Sequence, residues 1–579
     1  MLPPLPPTAA LEAVELGRTS DASRTGGPAA GPRHSTDALV PGDGRGGAVA
    51  VRSRDLDAVA GPEGDFRRLL LPTAGLDGMS LQAEGGTLWL REAWLADPRA
   101  PLVAQPDPAL PPLPAIELAP CGEGCDDGAA LTAAIDAAEP GPLRVSLAAG
   151  RYLLRTPVTI RRDDVTLEGV GPDTLLFWDP EADAPRGAVM FLGRGRVGAA
   201  LPLPAVASGT RRFPLPGADA LAFRHARYAS DDFGHIPATC INGRDQEHYQ
   251  RHLGQLVRVL GTEGEGDARQ IVLDRALNLD IPAEANPRLE PVELIQRGAV
   301  RGLRFLANCP EALENPRFAR PECANPFVQG DAAVLFQWVA SPRVSDVQAQ
   351  AFGKFSVELT DTLEAEVTRY RMDHPSDYGE GGAGYGVHLI TASRTVVHGI
   401  DVEHARHGVV VDFGASDSQI LESHLRDMSQ ALIDVHGEAS RDTLIRGNTL
   451  ADSTLAVIVG GGGNVAHCND GPRHHIDHNT MAGITNSGIT VFDETRQVFA
   501  RHNHIQGALF GLTVAFESGE VHALRNIFEG SRIPVQLATA GPVYLGGNVF
   551  VDACTPEAAV MVLNGVVEIA ADNRFCPDR

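Results

Sequence analysis

Residues 445–450 read Ile-Arg-Gly-Asn-Thr-Leu, and the frame returns as Ile-Asp-His-Asn-Thr-Met at 476–481 and Ala-Arg-His-Asn-His-Ile at 500–505. It recurs as Ala-Leu-Arg-Asn-Ile-Phe at 523–528, Leu-Gly-Gly-Asn-Val-Phe at 545–550 and Ala-Ala-Asp-Asn-Arg-Phe at 570–575. One position is therefore asparagine six times running: Asn448, Asn479, Asn503, Asn526, Asn548 and Asn573. Upstream the frame fits at Leu303, Val347, Tyr370, Ile400 and Ser423, and successive steps are 44 (two turns of 22), 23, 30, 23, 25, 31, 24, 23, 22 and 25 residues.

A second frame, small-apolar-x-apolar, interleaves with the first. Its apolar pairs are Val387/Leu389, Val409/Val411, Ile433/Val435, Val457/Val459, Ile489/Val491, Leu512/Val514, Val535/Leu537 and Val560/Val562. A repeat of 22–25 residues with several short strands, each alternating with period two, describes a right-handed parallel β-helix. Leucine-rich repeats have a similar period but require a leucine consensus that is absent here. The six asparagines are expected to stack as an internal ladder, their amides bonding from coil to coil and satisfying the buried bends.

The rest of the chain has a different texture. Residues 1–35 are rich in Pro, Ala, Gly and Ser and read as a disordered tail, and 36–118 as a small β-rich region with a Pro-rich linker. Residues 127–138, DGAALTAAIDAA, form an amphipathic helix with Leu131, Ala134, Ile135 and Ala138 on one stripe. Short strands follow, so 119–194 reads as a capping helix and first coils, 195–298 as an inserted β subdomain, and 299–579 as the main β-helix. The fold class is all-β.

Composition narrows the function. The net charge is −25, with a single lysine, Lys354, so a nucleic-acid partner is not expected. No run of about 18 apolar residues occurs, which excludes a helical membrane span. The N-terminus lacks the basic and apolar regions of a secretory signal. A cytoplasmic protein and a secreted or periplasmic one whose leader has been removed both stay open, as do monomer and homo-oligomer. Of eight cysteines, Cys121 and Cys125 are spaced as neither a zinc knuckle nor a redox pair, and Cys554 and Cys576 are candidates to pair.

The helix at 127–138, followed by AGRYLL, VTI and VTLEGVG, resembles the N-terminal cap and first coils of the pectate-lyase-like superfamily. The resemblance covers about 120–190 and 300–579. It implies a β-helix fold and a polysaccharide or oligosaccharide substrate, while the reaction varies across lyases, hydrolases, epimerases, transferases and tailspikes.

In a β-helix, equivalent positions on neighbouring coils lie about 4.8 Å apart. One outward column then carries Glu358, His388, Val410 and Asp434, and the next Thr360, Ile390, Asp412 and His436. Lys354, Gly384, Arg406 and Gln430 stand two residues before the strands, with His407 after Arg406. Two long loops, 372–384 and 460–472, flank these coils, as the walls of a groove would. Histidines agree, with 14 of 19 lying between His374 and His522.

The expected catalytic group is His436 as base, oriented by Asp412, with Asp434 beside it. Arg406 is read as the partner of a substrate carboxylate, and Tyr378 or Tyr385 as proton donor. His388, His407, Glu438 and Lys354 are expected to line the substrate groove. No metal site is assigned within this group, although Asp373, Asp377 and Glu380 are carboxylates suited to Ca²⁺. The Asp434-Val-His436 triplet is similar to the Asp-Pro-His motif of mannuronan C5-epimerases, where Asp and His lie at the site of C5 proton abstraction. Three reactions stay open: β-elimination at a uronosyl residue, C5 epimerisation, and glycoside hydrolysis or transfer by the Asp412 and Asp434 carboxylates. A non-catalytic, tailspike-like glycan binder is the remaining alternative.

Overall fold

The computed structural model describes residues 114–577, apart from 123, 183–185, 204–208, 215–223, 231–253, 265–268, 279–282, 284–285, 315–320, 324, 331, 379–381, 437–439, 461–470 and 493–494. Before residue 114 it describes only the backbone of seven strands. The chain divides into an N-terminal unit, Met1–Ala109, and a large unit beginning at Leu110.

The N-terminal unit contains a four-stranded antiparallel sheet ordered Leu56–Gly61, Gly64–Leu69, Ala13–Gly17, Trp89–Trp94. A three-stranded sheet is made of Ala48–Arg52, Asp37–Pro41 and Gln82–Ala83. The strand Ala13–Gly17 falls inside the stretch read as a disordered tail. Its alternation was hidden by the Pro- and Gly-rich sequence on either side. The strand Ala115–Leu118 pairs in parallel with Leu143–Leu147 and so belongs to the β-helix, not to the linker.

The large unit is built on one 32-stranded sheet wound from coil to coil, all of its pairings parallel. Val334, Val357, Val387, Val409, Ile433, Val457, Ile489, Leu512, Val535 and Val560 lie in continuous lateral register. This is the second sequence frame, and its side chains fill a single elongated core. Val562, which pairs with Leu537 in the neighbouring inward column, is 46% exposed.

The asparagine ladder forms as the first frame requires. Oδ1 of Asn479 accepts both the backbone N–H and Nδ2 of Asn448, each at 2.9 Å, while Nδ2 of Asn448 also donates to the carbonyl of Ile420. The pattern repeats through Asn503, Asn526 and Asn548 to Asn573. Ser423 extends it by one coil, donating its backbone N–H to Asn448. The residue before Ser423, and before every asparagine of the ladder except Asn573, has a left-handed backbone: Glu422, Gly447, His478, His502, Arg525 and Gly547. Four of these six are not glycine, so side chains that cost about 1 kcal/mol in this region are held there by the bend's own hydrogen bonds.

The helix Asp127–Ala137 closes the N-terminal end, burying Leu131 and Ile135 against the first coils. Asp126 caps it, and the buried Asp127 accepts from the backbone N–H groups of Cys121 and Leu153, each at 2.7 Å. Gly128 packs so closely that a Cβ would stand 1.9 Å from the carbonyl oxygen of Thr156, which explains the Asp-Gly pair opening the helix. Disulfides join Cys121 to Cys125, Cys309 to Cys323 and Cys554 to Cys576. Cys240 and Cys468 lie outside the described residues.

Between Gly195 and Glu293 the chain leaves the β-helix to form a seven-stranded antiparallel sheet with its own core of Phe213, Tyr228, Val257, Ile271 and Leu289. Buried Arg441 ties it to the coils through Asn278 Oδ1 (2.9 Å) and the carbonyl of Gly254 (3.1 Å). No helix among the described residues is long and apolar enough to cross a membrane.

Candidate active site

Four consecutive strands carry the site: Phe355–Leu363, Tyr385–Ile390, His407–Asp412 and His424–Val435. Their register sets Glu358 beside His388, His388 beside Val410, Val410 beside Asp434, and Ile390 beside Asp412. Side chains alternate across a strand, so these positions point away from the core filled by Val387, Val409 and Ile433. Parallel pairing stacks them laterally and brings together residues some two dozen apart in sequence.

The side chains form a connected chain of imidazoles and carboxylates. His388 Nε2 lies 3.2 Å from Asp412 Oδ2, and His436 Nε2 lies 3.6 Å from the same oxygen. His436 Nδ1 lies 3.1 Å from Asp434 Oδ1, and His407 Nδ1 lies 3.4 Å from Asp434 Oδ2. Although they face outward from the core, His388, His407, Asp412 and Asp434 are buried by their neighbours, whereas the His436 side chain keeps 14% exposure. His436 is therefore the imidazole in the group most open to an incoming molecule.

The expected pairing of His436 with Asp412 is corrected in one respect. The two are adjacent, but the hydrogen bond of Asp412 goes to His388, and the closer carboxylate to His436 is Asp434. His388 is thus a member of the charged group and not merely part of the groove lining. It lies diagonally across from Asp412, within reach of a long side chain.

Tyr385 stands edge-on to two of these rings, 5.2 Å from His388 and 5.0 Å from His407. Phe355 packs 4.4 Å from His388 and 5.5 Å from Tyr385, making an apolar wall with Val410 and Ala332. Burial pushes the Tyr385 phenol up, opposed by Arg406 and reinforced by Asp412 and Asp434. Burial lowers His407 to about 4, outweighing the attraction of Asp434, so this ring is neutral near neutral pH.

The cations stand beside this wall. Arg406 donates from Nε to Gln430 Oε1 at 3.0 Å, and its guanidinium lies 5.9 Å from the Tyr385 ring. Lys354 is exposed, with Nζ 5.4 Å from the centre of Phe355. Buried Glu358 accepts from Thr360 at 2.9 Å and pairs with Arg186, a contact spanning 172 residues that no local pattern announces.

Tyr378 is not part of this group. Its hydroxyl donates to the backbone carbonyl of His404 at 2.7 Å, and the carboxylates acting on it are Asp373 and Asp427. Sequence reading could not separate the two tyrosines, because both flank the same long loop. Glu438 and Glu380 lie outside the described residues, as does most of the second long loop. Asp373 meets two histidines, His374 and His404. The histidines from 474 to 504 do not gather: His474 bonds the carbonyl of Gly471, His475 stacks on Phe499, His478 stacks on His502, and His504 contacts Glu529.

The family description "Right handed beta helix region" matches residues 385–555, the stretch that holds most of the group. The chain is a right-handed parallel β-helix protein, as its repeat and its capping helix implied. No curated protein matches it. Similar solved structures include the tailspike protein gp49 from Pseudomonas phage LKA1, at 14% identity and TM-score 0.42, covering 76% of this chain and 74% of that one. Another is the catalytic domain of a GH87 alpha-1,3-glucanase in complex with nigerose, at 11% identity and TM-score 0.47, covering 98% and 90%. The periplasmic alginate epimerase AlgG is similar at 13% identity and TM-score 0.34, covering 49% and 66%.

Proposed function

We propose that this protein is a carbohydrate-active enzyme that abstracts the C5 proton of a uronosyl residue in a polysaccharide and cleaves the chain by β-elimination. The observation that supports this reading is His436, the most open imidazole of the group, set between two carboxylates at 3.1 and 3.6 Å. Flanking carboxylates orient an imidazole and fix its tautomer, as proton abstraction requires. Arg406 faces the same patch and pairs with the uronate carboxylate, where it stabilises charge developing at C5. Tyr385, raised by burial, keeps its proton and serves as donor to the leaving oxygen. If the proton instead returns to the opposite face of C5, the same residues perform epimerisation. The three disulfides suit an oxidising compartment, where polymeric glycans are met.

One observation favours a second reading, glycoside hydrolysis: His436 contacts both Asp412 and Asp434, which put two carboxylates in one group. Incubation with a panel of uronate polysaccharides and neutral glucans separates the two. Ultraviolet absorbance of an unsaturated product supports elimination, whereas new reducing ends without absorbance on any glycan overturn it in favour of hydrolysis. An altered C5 configuration by proton NMR without chain cleavage identifies epimerisation. Binding without turnover on the whole panel overturns the enzymatic reading.

A further inference from the structure

A second cluster lies outside this group and is independent of the reaction proposed above. The strand Glu366–Asp373 ends at Asp373, and His374 follows with a left-handed backbone, φ +48°. On the next coil His404, φ +53°, occupies the turn between Asp401–Glu403 and His407–Asp412. The two imidazoles stack with centroids 4.2 Å apart and planes 22° from parallel. His404 Nδ1 is 3.0 Å from Asp373 Oδ1, and His374 Nδ1 contacts the same oxygen. One nitrogen from each ring and one carboxylate oxygen all lie within 4.8 Å of one another.

The far side of His404 fixes what the near side can do. Nε2 of His404 lies 3.0 Å from Asp427 Oδ2. In the tautomer whose proton is donated there, Nδ1 presents a lone pair toward the Asp373 oxygen 3.0 Å away, the pair of donors a bound cation would take up. A divalent ion satisfies both nitrogens and the carboxylate at once. Donors on zinc, with bonds of about 2.0–2.1 Å, stand roughly 3.3–3.5 Å apart, so the Asp373 carboxylate, 3.0 Å from His404 Nδ1, would draw back slightly to admit the ion. A carboxylate behind a ligating imidazole is the usual means of orienting the ring.

We propose that Asp373, His374 and His404 bind one divalent cation of the zinc class, with Asp427 holding His404 in the ligating tautomer. Two imidazoles and one carboxylate select such an ion over Ca²⁺, which favours oxygen donors. Partial exposure of the three side chains, 18%, 18% and 34%, leaves a path for the ion and room for water as a further ligand. Asp373 and His374 open the long loop, and His404 stands three residues before His407, so the ion ties that loop to the coil entering the active site. The Tyr378 hydroxyl on the carbonyl of His404 reinforces the same junction.

The full-length protein, stripped with chelator and titrated with zinc chloride by calorimetry, is expected to take up one equivalent and to melt at a higher temperature. His374→Ala and His404→Ala should abolish that uptake, and Asp427→Asn should weaken it by about 10–100-fold. His478→Ala, in the other stacked histidine pair, should leave it intact. Circular dichroism of the stripped variants checks that they fold. Should His404→Ala prove unfolded, the exposed Asp427→Asn replacement still decides the matter. The proposal is overturned if stripped protein takes up no zinc, or if uptake persists undiminished in His374→Ala and Asp427→Asn.

Discussion

Nδ1 of His436, the residue just past the strand His424–Val435, lies 3.1 Å from Oδ1 of Asp434 two residues back. Its Nε2 edge, toward Asp412 at 3.6 Å, is the one left to receive a proton from a molecule in the groove. His436→Gln keeps the volume and removes the base, so turnover should fall by about 10²–10⁴-fold with the fold intact. Asp434→Asn should give a smaller loss, since it acts through the ring. Steady-state kinetics across pH on the substrate found by the panel checks both. Equal activity of His436→Gln and the natural protein would sink the assignment.

How far the sequence carried depended on where each residue sits relative to the repeat. Asn448 to Asn573 announced the coils because each bend has the same need, a buried backbone N–H and carbonyl to satisfy, and meets it with the same side chain. The strand columns were legible too, since parallel register preserves sequence spacing from coil to coil. The His388–Asp412 bond was not, because it runs diagonally and depends on side-chain rotamers that spacing does not fix. Arg186 on Glu358 was hidden because the insertion and one intervening coil put 172 residues between them. The Asp373, His374 and His404 cluster joins a strand end to a turn outside both frames, where left-handed backbones redirect the side chains.

Asn503 tests the ladder in its interior. Its Oδ1 accepts from both the backbone and the side chain of Asn479, and its Nδ2 donates to the carbonyl of Ile476. Asn503→Ala leaves those groups buried without partners, at about 1–3 kcal/mol each. A loss of several kcal/mol is expected, read as a lower denaturant midpoint. Asn573→Ala, at the end of the ladder and 8% exposed, should cost less. An equal cost at both positions would show that the stack adds nothing beyond single bonds.

Acid should destabilise the fold through buried histidines. His407 and His474 are held at about 4 by burial, against an ordinary value near 6.5. Between these values the unfolded chain binds protons that the folded chain does not, so stability rises with pH there. It is complete above about pH 6.5 and drains away as pH falls toward 4, by on the order of 3 kcal/mol for each ring. His474 lies outside the active-site group and bonds the backbone of Gly471, at 2.7 Å, and of Ser440. His474→Gln should therefore lose less stability than the natural protein between pH 7 and 4.5, measured as the change in denaturant midpoint.

Arg406 decides between an anionic and a neutral substrate. Its Nε is engaged by Gln430, which aims the guanidinium along the face shared with Tyr385. A planar fork suits a carboxylate in bidentate contact, and lysine cannot reproduce that geometry. If the substrate carries a uronate at this position, Arg406→Gln should lower kcat/KM by about 10²-fold, with Arg406→Lys recovering only part of it. The loss should fall on kcat as well as KM, because charge grows at C5 in the transition state and the guanidinium then binds more tightly than in the ground state. A neutral glycan gives no such term. Arg406→Gln would then change KM by a few-fold at most, and the elimination mechanism would have to give way to hydrolysis by the Asp412 and Asp434 carboxylates.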